Sequence, residues 1–309
     1  MKLLLLLLLK SIIFANEPIL FDEKRAFSYL EKQCDFGPRV PGSKAHMQGK
    51  DHIVKTIASS ADNVIEQSFM HSFVYTGKII KLTNIIAQFN PEIDERIWIA
   101  AHWDSRPWAD LDKDLANRNI PILGANDGAS GVAVLLEIAN QLKVKSPNIG
   151  IDLIFIDGED IGKSGELQHY FIGSRYLSKN IPTKFPKYCI LIDMIGDKNL
   201  EIPIEGYSYK QYPDLVNLIW SQAETMGFSV FKNEISSFVQ DDHVILYNVG
   251  GIPSINIIDF DYEYWHTLED TPDKCSPESL GVIGKLLLNH IYLINNSAYS
   301  ATAIGRTAL

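Results

Sequence analysis

Several short apolar runs in this chain end in an acid or an imidazole. Residues 97–101 are followed by His102, Trp103, Asp104 and Ser105, and residues 151–156 by Asp157, Gly158, Glu159 and Asp160. Residues 188–192 lead to Asp193, and residues 252–258 lead, a few positions later, to Trp265, His266 and Thr267. Asp127 stands in Gly124-Ala125-Asn126-Asp127-Gly128, just ahead of a helical pattern that starts near Gly131. Taken singly, each has an ordinary explanation: an Asp before a helix is a cap, a His after a strand lies at the surface, and a Glu-Asp pair is a solvated loop. Their joint placement at the ends of apolar runs is what points to a site. Carboxylates and imidazoles without thiolates suit a catalytic zinc, where three protein ligands leave one position open to substrate. The adjacent Glu159 and Asp160 diverge, so that one can hold a metal while the other carries a proton. The three cysteines, Cys34, Cys189 and Cys275, are far apart with no Cys-x-x-Cys spacing, which excludes a thiolate site and a disulfide framework.

The elements that must position these residues follow from the apolar pattern. Short unbroken apolar runs are expected for central strands covered on both faces. Residues 64–73 and 79–89 look like a hairpin joined through Thr76-Gly77. Helical spacing covers residues 22–34, which Phe36-Gly37-Pro38 stops, and a second helix follows Pro41-Gly42 with Ser43 as its cap. Further helical patterns lie at 131–143, 166–177, 211–226 and 277–294. Strand alternating with helix implies an α/β three-layer sandwich, a central mixed, largely parallel sheet flanked by helices. Ligands in such sheets sit at the carboxyl edge of the strands, where the acids gather here.

No repeat or linker divides the sequence, so residues 16–309 are expected to form a single catalytic domain. Residues 1–15 run from Met1-Lys2 through leucines 3–9 and Lys10 to Ala15, the pattern of a cleaved export signal. That run is well short of the roughly 20 apolar residues that span a bilayer. The expectation is a secreted or periplasmic protein without a mature membrane anchor, and a monomer. With 28 basic against 38 acidic residues and no basic stripe, nucleic acid is excluded as a partner.

The series His102-x-Asp104-Ser105, Asn126-Asp127-Gly128-Ala129-Ser130-Gly131, Asp157-Gly158-Glu159-Asp160, Asp193 and His266-Thr267 resembles the zinc aminopeptidase superfamily that also contains the glutaminyl cyclases. The likeness runs from Phe36-Gly37-Pro38-Arg39-Val40-Pro41-Gly42-Ser43 to the last helix. Two-zinc aminopeptidases use a ligand set for which His102, Asp127, Asp160, Asp193 and His266 all qualify, so ligand types leave both branches open. Gln240-Asp241-Asp242-His243, Trp265-His266-Thr267 and Ile190-Leu191-Ile192-Asp193-Met194-Ile195-Gly196 resemble the cyclases, and a bacterial-type variant fits best. That resemblance implies one zinc ion per chain held by Asp127, Asp160 and His266, with Glu159 as general base and acid. It implies Asp193 and Asp241 in a supporting hydrogen-bond network, and Trp265 lining the pocket for the glutamine side chain. The substrates would be peptides or proteins with N-terminal glutamine, converted to pyroglutamate with release of ammonia. The sequence departs from the animal enzymes where the loop 161–165 lacks their Trp, where Asn256 replaces a His, and where Asp160 shortens a Glu. The competing readings are a secreted zinc aminopeptidase in which Glu159 activates water, and a non-catalytic binding module on the same fold.

Overall fold

The structure is a computed structural model and describes residues 20–294, so the export signal expected at 1–15 lies outside the described residues. In chain order these form α1 (Glu23–Cys34), α2 (Lys44–Ile57), β1 (Asn63–Phe73), β2 (Lys78–Phe89), β3 (Arg96–His102), α3 (Ala129–Val144), β4 (Gly150–Ile156) and α4 (Ile172–Lys179). There follow β5 (Cys189–Asp193), β6 (Ile202–Ile204), α5 (Gly206–Gln211), α6 (Pro213–Thr225), β7 (Phe231–Ile235), α7 (Asp242–Gly250), β8 (Ser254–Ile258) and α8 (Pro277–Ile294).

One sheet dominates, in the order β1-β2-β4-β3-β5-β8. The hairpin is antiparallel, from Asn63 opposite Gln88 to Phe73 opposite Lys78, and β2 runs antiparallel to β4. Strands β4, β3, β5 and β8 are mutually parallel. Their side chains alternate between two buried layers. Ile97, Ile99, Ala101, Leu153, Phe155, Ile190 and Ile192 join the core built with α1, α3 and α8. Trp98, Ala100, Ile154, Ile156 and Leu191 face the other way, toward Leu177 of α4 and Leu246 of α7. Coverage on both faces is why the strand sequences read as continuous apolar runs rather than alternating ones.

Two buried carboxylates in this frame are paired with arginines. Arg96 donates to both oxygens of Asp152 at 2.8 and 2.9 Å, and the Trp98 indole adds a bond of 2.8 Å. Glu137 of α3 accepts two bonds from Arg25, at 2.6 and 2.7 Å. Leaving Arg96, Asp152 or Glu137 without its partner would strand an uncompensated charge in the core.

The expected layering holds, with three differences of detail. The helix expected over 166–177 begins only at Ile172, because Phe171 sits in the left-handed region (φ +60°) and the preceding residues wrap the pocket. The pattern over 211–226 is broken at Tyr212, and Pro213 opens α6 where its missing N–H costs nothing. The parallel pair β6–β7 and helix α7 carry no clear periodicity and were not expected. Ser43 caps α2 as expected, accepting from the His46 N–H at 3.1 Å. Among the described residues, no helix is long and apolar enough to cross a membrane.

Candidate active site

The four parallel strands all end at one edge, and the segments that leave β4 and β3 are tied down there by different devices. After β4, Gly158 takes φ +68°, a conformation glycine adopts without cost, and turns Glu159 and Asp160 out of the sheet. Asp104, just past β3, accepts the N–H of Glu159 at 3.0 Å and that of Asp160 at 3.3 Å, so one carboxylate fixes both backbones. Asp127 is placed from two sides. Arg39, inside the Phe36 to Ser43 motif, donates to the carbonyls of Trp103, Leu123 and Gly124 at 2.8 to 3.0 Å and so holds the incoming loop. Asp270 accepts the N–H groups of Asn126 and Asp127 at 2.8 and 3.2 Å, and the Tyr262 hydroxyl secures Asp270 at 3.0 Å. The next residue has to be Gly128, since a Cβ there would collide with the His102 ring.

These devices bring Asp127, Asp160 and His266 together, with one donor atom from each within 4.8 Å of the others. His266 Nε2 lies 3.6 Å from Asp127 Oδ2 and 3.5 Å from Asp160 Oδ2. A tetrahedral cation with oxygen and nitrogen ligands at about 2.0–2.2 Å sets its donors roughly 3.3–3.6 Å apart. Asp160 Oδ2 is buried with no hydrogen-bond partner, and burial pushes the Asp160 carboxyl up to about 7 against the pull of Arg106 and His266. A buried carboxylate left in this condition is expected where a cation completes it, so the donor set fits a divalent metal.

Glu159 lies beside this triad with its side chain 12% exposed, enough to meet a substrate while largely desolvated. Burial, reinforced by the charge of Asp160, raises its carboxyl well above the usual range. Such a group takes up a proton more readily than a surface glutamate. A second set, His102, Asp127 and Asp193, shares Asp127: His102 Nε2 faces Asp127 Oδ1 at 3.1 Å and Asp193 Oδ1 at 3.3 Å. Asp241 caps α7 and accepts from Asn256 Nδ2 at 2.6 Å, and burial raises it to about 6. Among the described residues, no hydrogen bond joins Asp193 or Asp241 to Glu159. Their charges act on each other through space.

These groups line a cavity of about 340 Å³, floored by the acids and His266 and walled by Tyr170, Phe238, Phe260 and Trp265. Trp265 stands 4.1 Å from the His266 ring and 4.8 Å from Phe260. A volume of that order takes an amino-acid side chain with its adjoining peptide. A second cavity of about 390 Å³, at Trp220, Glu224 and Phe231, has no cluster of acids and imidazoles and is set aside as a site.

Asp127, Glu159, Asp160, Asp193, Asp241, Trp265 and His266 thus all line one pocket, Arg106, Asp110 and Tyr170 line it with them, and Asp104, Glu205 and Asp270 support it from behind by hydrogen bonds. Asp104 stood in a recognised motif, two positions after His102. The others had no local signal, because each acts on residues distant in sequence. Glu205 accepts five bonds of 2.7 to 3.0 Å, from Tyr207 N, Ser208 N and Oγ, Val239 N and His243 Nε2, which fastens the Phe238 to Asp241 wall to α5 and α7.

A largely parallel sheet presenting carboxylates and a histidine around a cation-sized gap defines an α/β protein whose sheet edge can hold a metal ion. The model of Peptidase family M28 matches residues 84–291, and the chain belongs to that family. It is 36% identical to a solved glutaminyl cyclase from Bacteroides thetaiotaomicron, with a TM-score of 0.86 over 89% of this chain and 99% of that one. A Zn-dependent exopeptidase from Parabacteroides distasonis is equally similar, at 36% identity and TM-score 0.85 over 88% and 98% of the two chains. The glutaminyl-peptide cyclotransferase of Bos taurus is 25% identical over 284 residues, covering 81% of this chain and 76% of the relative.

Proposed function

We propose that this chain is a glutaminyl-peptide cyclotransferase: it closes the N-terminal glutamine of peptides into pyroglutamate and releases ammonia. The observation that carries the reading is the convergence of Asp127, Asp160 and His266 with Glu159 alongside, in a pocket on a fold that superposes on a solved cyclase. Asp127, Asp160 and His266 would hold one zinc ion, which when bound supplies Lewis-acid polarisation of the substrate γ-carbonyl.

The chain's own residues do the remainder. The aromatic wall of Trp265, Phe260 and Tyr170 receives the glutamine side chain and excludes water from it. The α-amine and the γ-carbonyl belong to one substrate, so holding the side chain folded makes the attack intramolecular. Glu159 accepts a proton from the α-amine as its nitrogen bonds to the side-chain carbonyl carbon, Cδ, closing a five-membered ring. The same carboxyl returns that proton to the amide nitrogen as the old C–N bond breaks and ammonia leaves. Burial, with the charges of Asp160 and Asp241, favours the protonated form of Glu159 between the two transfers, and Asp193 acts in turn on Asp241. Export and a monomeric state accompany this reading as proposals, the first resting on residues 1–15.

The second reading, an aminopeptidase, is favoured by one feature: His102, Asp127 and Asp193 form another group of potential ligands that shares Asp127. Mass spectrometry of a Gln-initiated peptide after incubation with the enzyme separates the two. Loss of one ammonia from the intact peptide is the expected result, and loss of the whole first residue would establish the peptidase instead.

A further inference from the structure

Arg106 is completely buried, four positions past the end of β3, and every nitrogen of its guanidinium is engaged. Nη1 donates to Asp160 Oδ1 at 2.5 Å and to the Asp160 carbonyl at 3.4 Å. Nε and Nη2 fork onto Asp110, at 2.8 Å to Oδ1 and 2.7 Å to Oδ2, and Nη2 also donates to the Tyr170 hydroxyl oxygen at 2.9 Å. Asp110 Oδ1 in turn faces His266 Nδ1 at 3.5 Å, while His266 Nε2 faces Asp160 Oδ2 at 3.5 Å. The contacts close a ring: guanidinium, Asp160, His266, Asp110 and back.

We infer that Arg106 is a positioning residue for the cation site, one guanidinium that orients two of its three protein ligands, an inference that rests on reading Asp127, Asp160 and His266 as the zinc-holding set. Pinning Oδ1 of Asp160 leaves Oδ2, which has no other partner, as the oxygen presented to the site. Asp110 opposite Nδ1 of His266 selects the tautomer whose Nε2 lone pair is free. Both effects need a planar donor that forks onto two carboxylates at once. Lysine, a single point donor on a flexible stem, reaches one of them only. Tyr170 is held by the same guanidinium through its oxygen, which leaves its own proton to point at a substrate.

The test is zinc affinity, measured on the full chain by competition with a chromophoric chelator, with circular dichroism as the check on folding. Arg106→Lys and Asp110→Asn are each expected to keep the fold and weaken zinc binding, Arg106→Lys by about 10–100-fold, the range that outer-sphere partners of metal ligands command. Tyr170→Phe, which leaves both carboxylate contacts intact, is expected to retain wild-type zinc affinity. Folded Arg106→Lys and Asp110→Asn proteins that both bind zinc as tightly as the unsubstituted chain would overturn the inference. If Arg106→Lys fails to fold, Asp110→Asn decides alone, since it opens the ring on the His266 side and leaves the Asp160 contact in place. An unsubstituted chain that binds no zinc would sink the zinc reading itself, and it is told apart because the failure appears before any substitution.

Discussion

At the scale of single residues, the chemistry depends on two neighbours with unlike surroundings. Asp160 is 2% exposed and locked to Arg106, whereas the Glu159 side chain makes no hydrogen bond among the described residues and keeps a window onto the pocket. Under the proposed function, that asymmetry suits the first to holding a metal and the second to transferring a proton. Glu159→Gln preserves volume and removes the proton acceptor, so kcat on a Gln peptide should fall by about 10²–10⁴-fold, the usual share of a general base. Zinc content should not change, because Asp127, Asp160 and His266 are untouched. Ammonia release together with metal analysis checks this, and near wild-type turnover in the variant would remove Glu159 from the mechanism. Two other residues mark the site by their backbone: His266 and Met194 take φ +56° and +48°, a region non-glycine residues avoid. Such conformations persist where surrounding contacts over-determine them, as they do at ligand clamps.

At the scale of elements, placement depends on turns as much as on strands. A methyl group on Gly158 would meet Leu82 at 2.8 Å, and φ +68° is strained for alanine in any case. Gly158→Ala should therefore cost about 1–2 kcal/mol of stability, and activity should fall further because Glu159 and Asp160 are displaced. Denaturant unfolding and turnover of one preparation measure both, and unchanged activity would show that the turn tolerates the shift. A second element-level prediction concerns pH. His290 of α8 is buried against the Tyr188 hydroxyl at 2.8 Å and Gln222 Oε1 at 3.1 Å, and burial lowers it from 6.5 to about 4. Between those values the unfolded chain binds more protons than the folded one, so stability is full above about pH 6.5 and declines as pH falls to 4. This group alone accounts for roughly 3 kcal/mol of that decline. The stability gap between the unsubstituted chain and His290→Gln should narrow by that amount from pH 7 to pH 4, and a gap that does not change with pH would refute it. The strands were legible because burial on both faces writes them as unbroken apolar runs, and the acids at their ends were legible because they interrupt those runs. Helix α7 was not, since its first half is buried on all sides and no stripe appears. Phe171 misled for a different reason: a left-handed residue inside an apolar pattern leaves no trace in the spacing. Arg106 and Glu205 were silent because their partners lie far along the chain.

At the scale of the whole molecule, the sheet edge concentrates negative charge on a chain that is already acidic, at a formal −10. Asp127, Glu159, Asp160, Asp193 and Asp241 share one pocket, and burial raises all of these carboxyls except Asp127, which His102 and His266 hold down. A cation that binds the folded chain and not the unfolded one must then stabilise the whole domain, by about 2.7 kcal/mol when zinc is present at 100 times its dissociation constant. For a domain of this size that corresponds to a rise in Tm of roughly 4–5 °C. Removing zinc with a chelator should lower Tm by that much, and zinc should restore it. The number of ions bound then decides between the two chemistries that the shared Asp127 leaves open. With one ion at Asp127, Asp160 and His266, Asp193→Asn should keep both the zinc and the Tm increment, whereas Asp127→Asn should lose both. Titration to two ions per chain, with Asp193→Asn losing one of them, would mean that His102 and Asp193 are ligands as well and that hydrolysis, not cyclisation, is the reaction this edge supports.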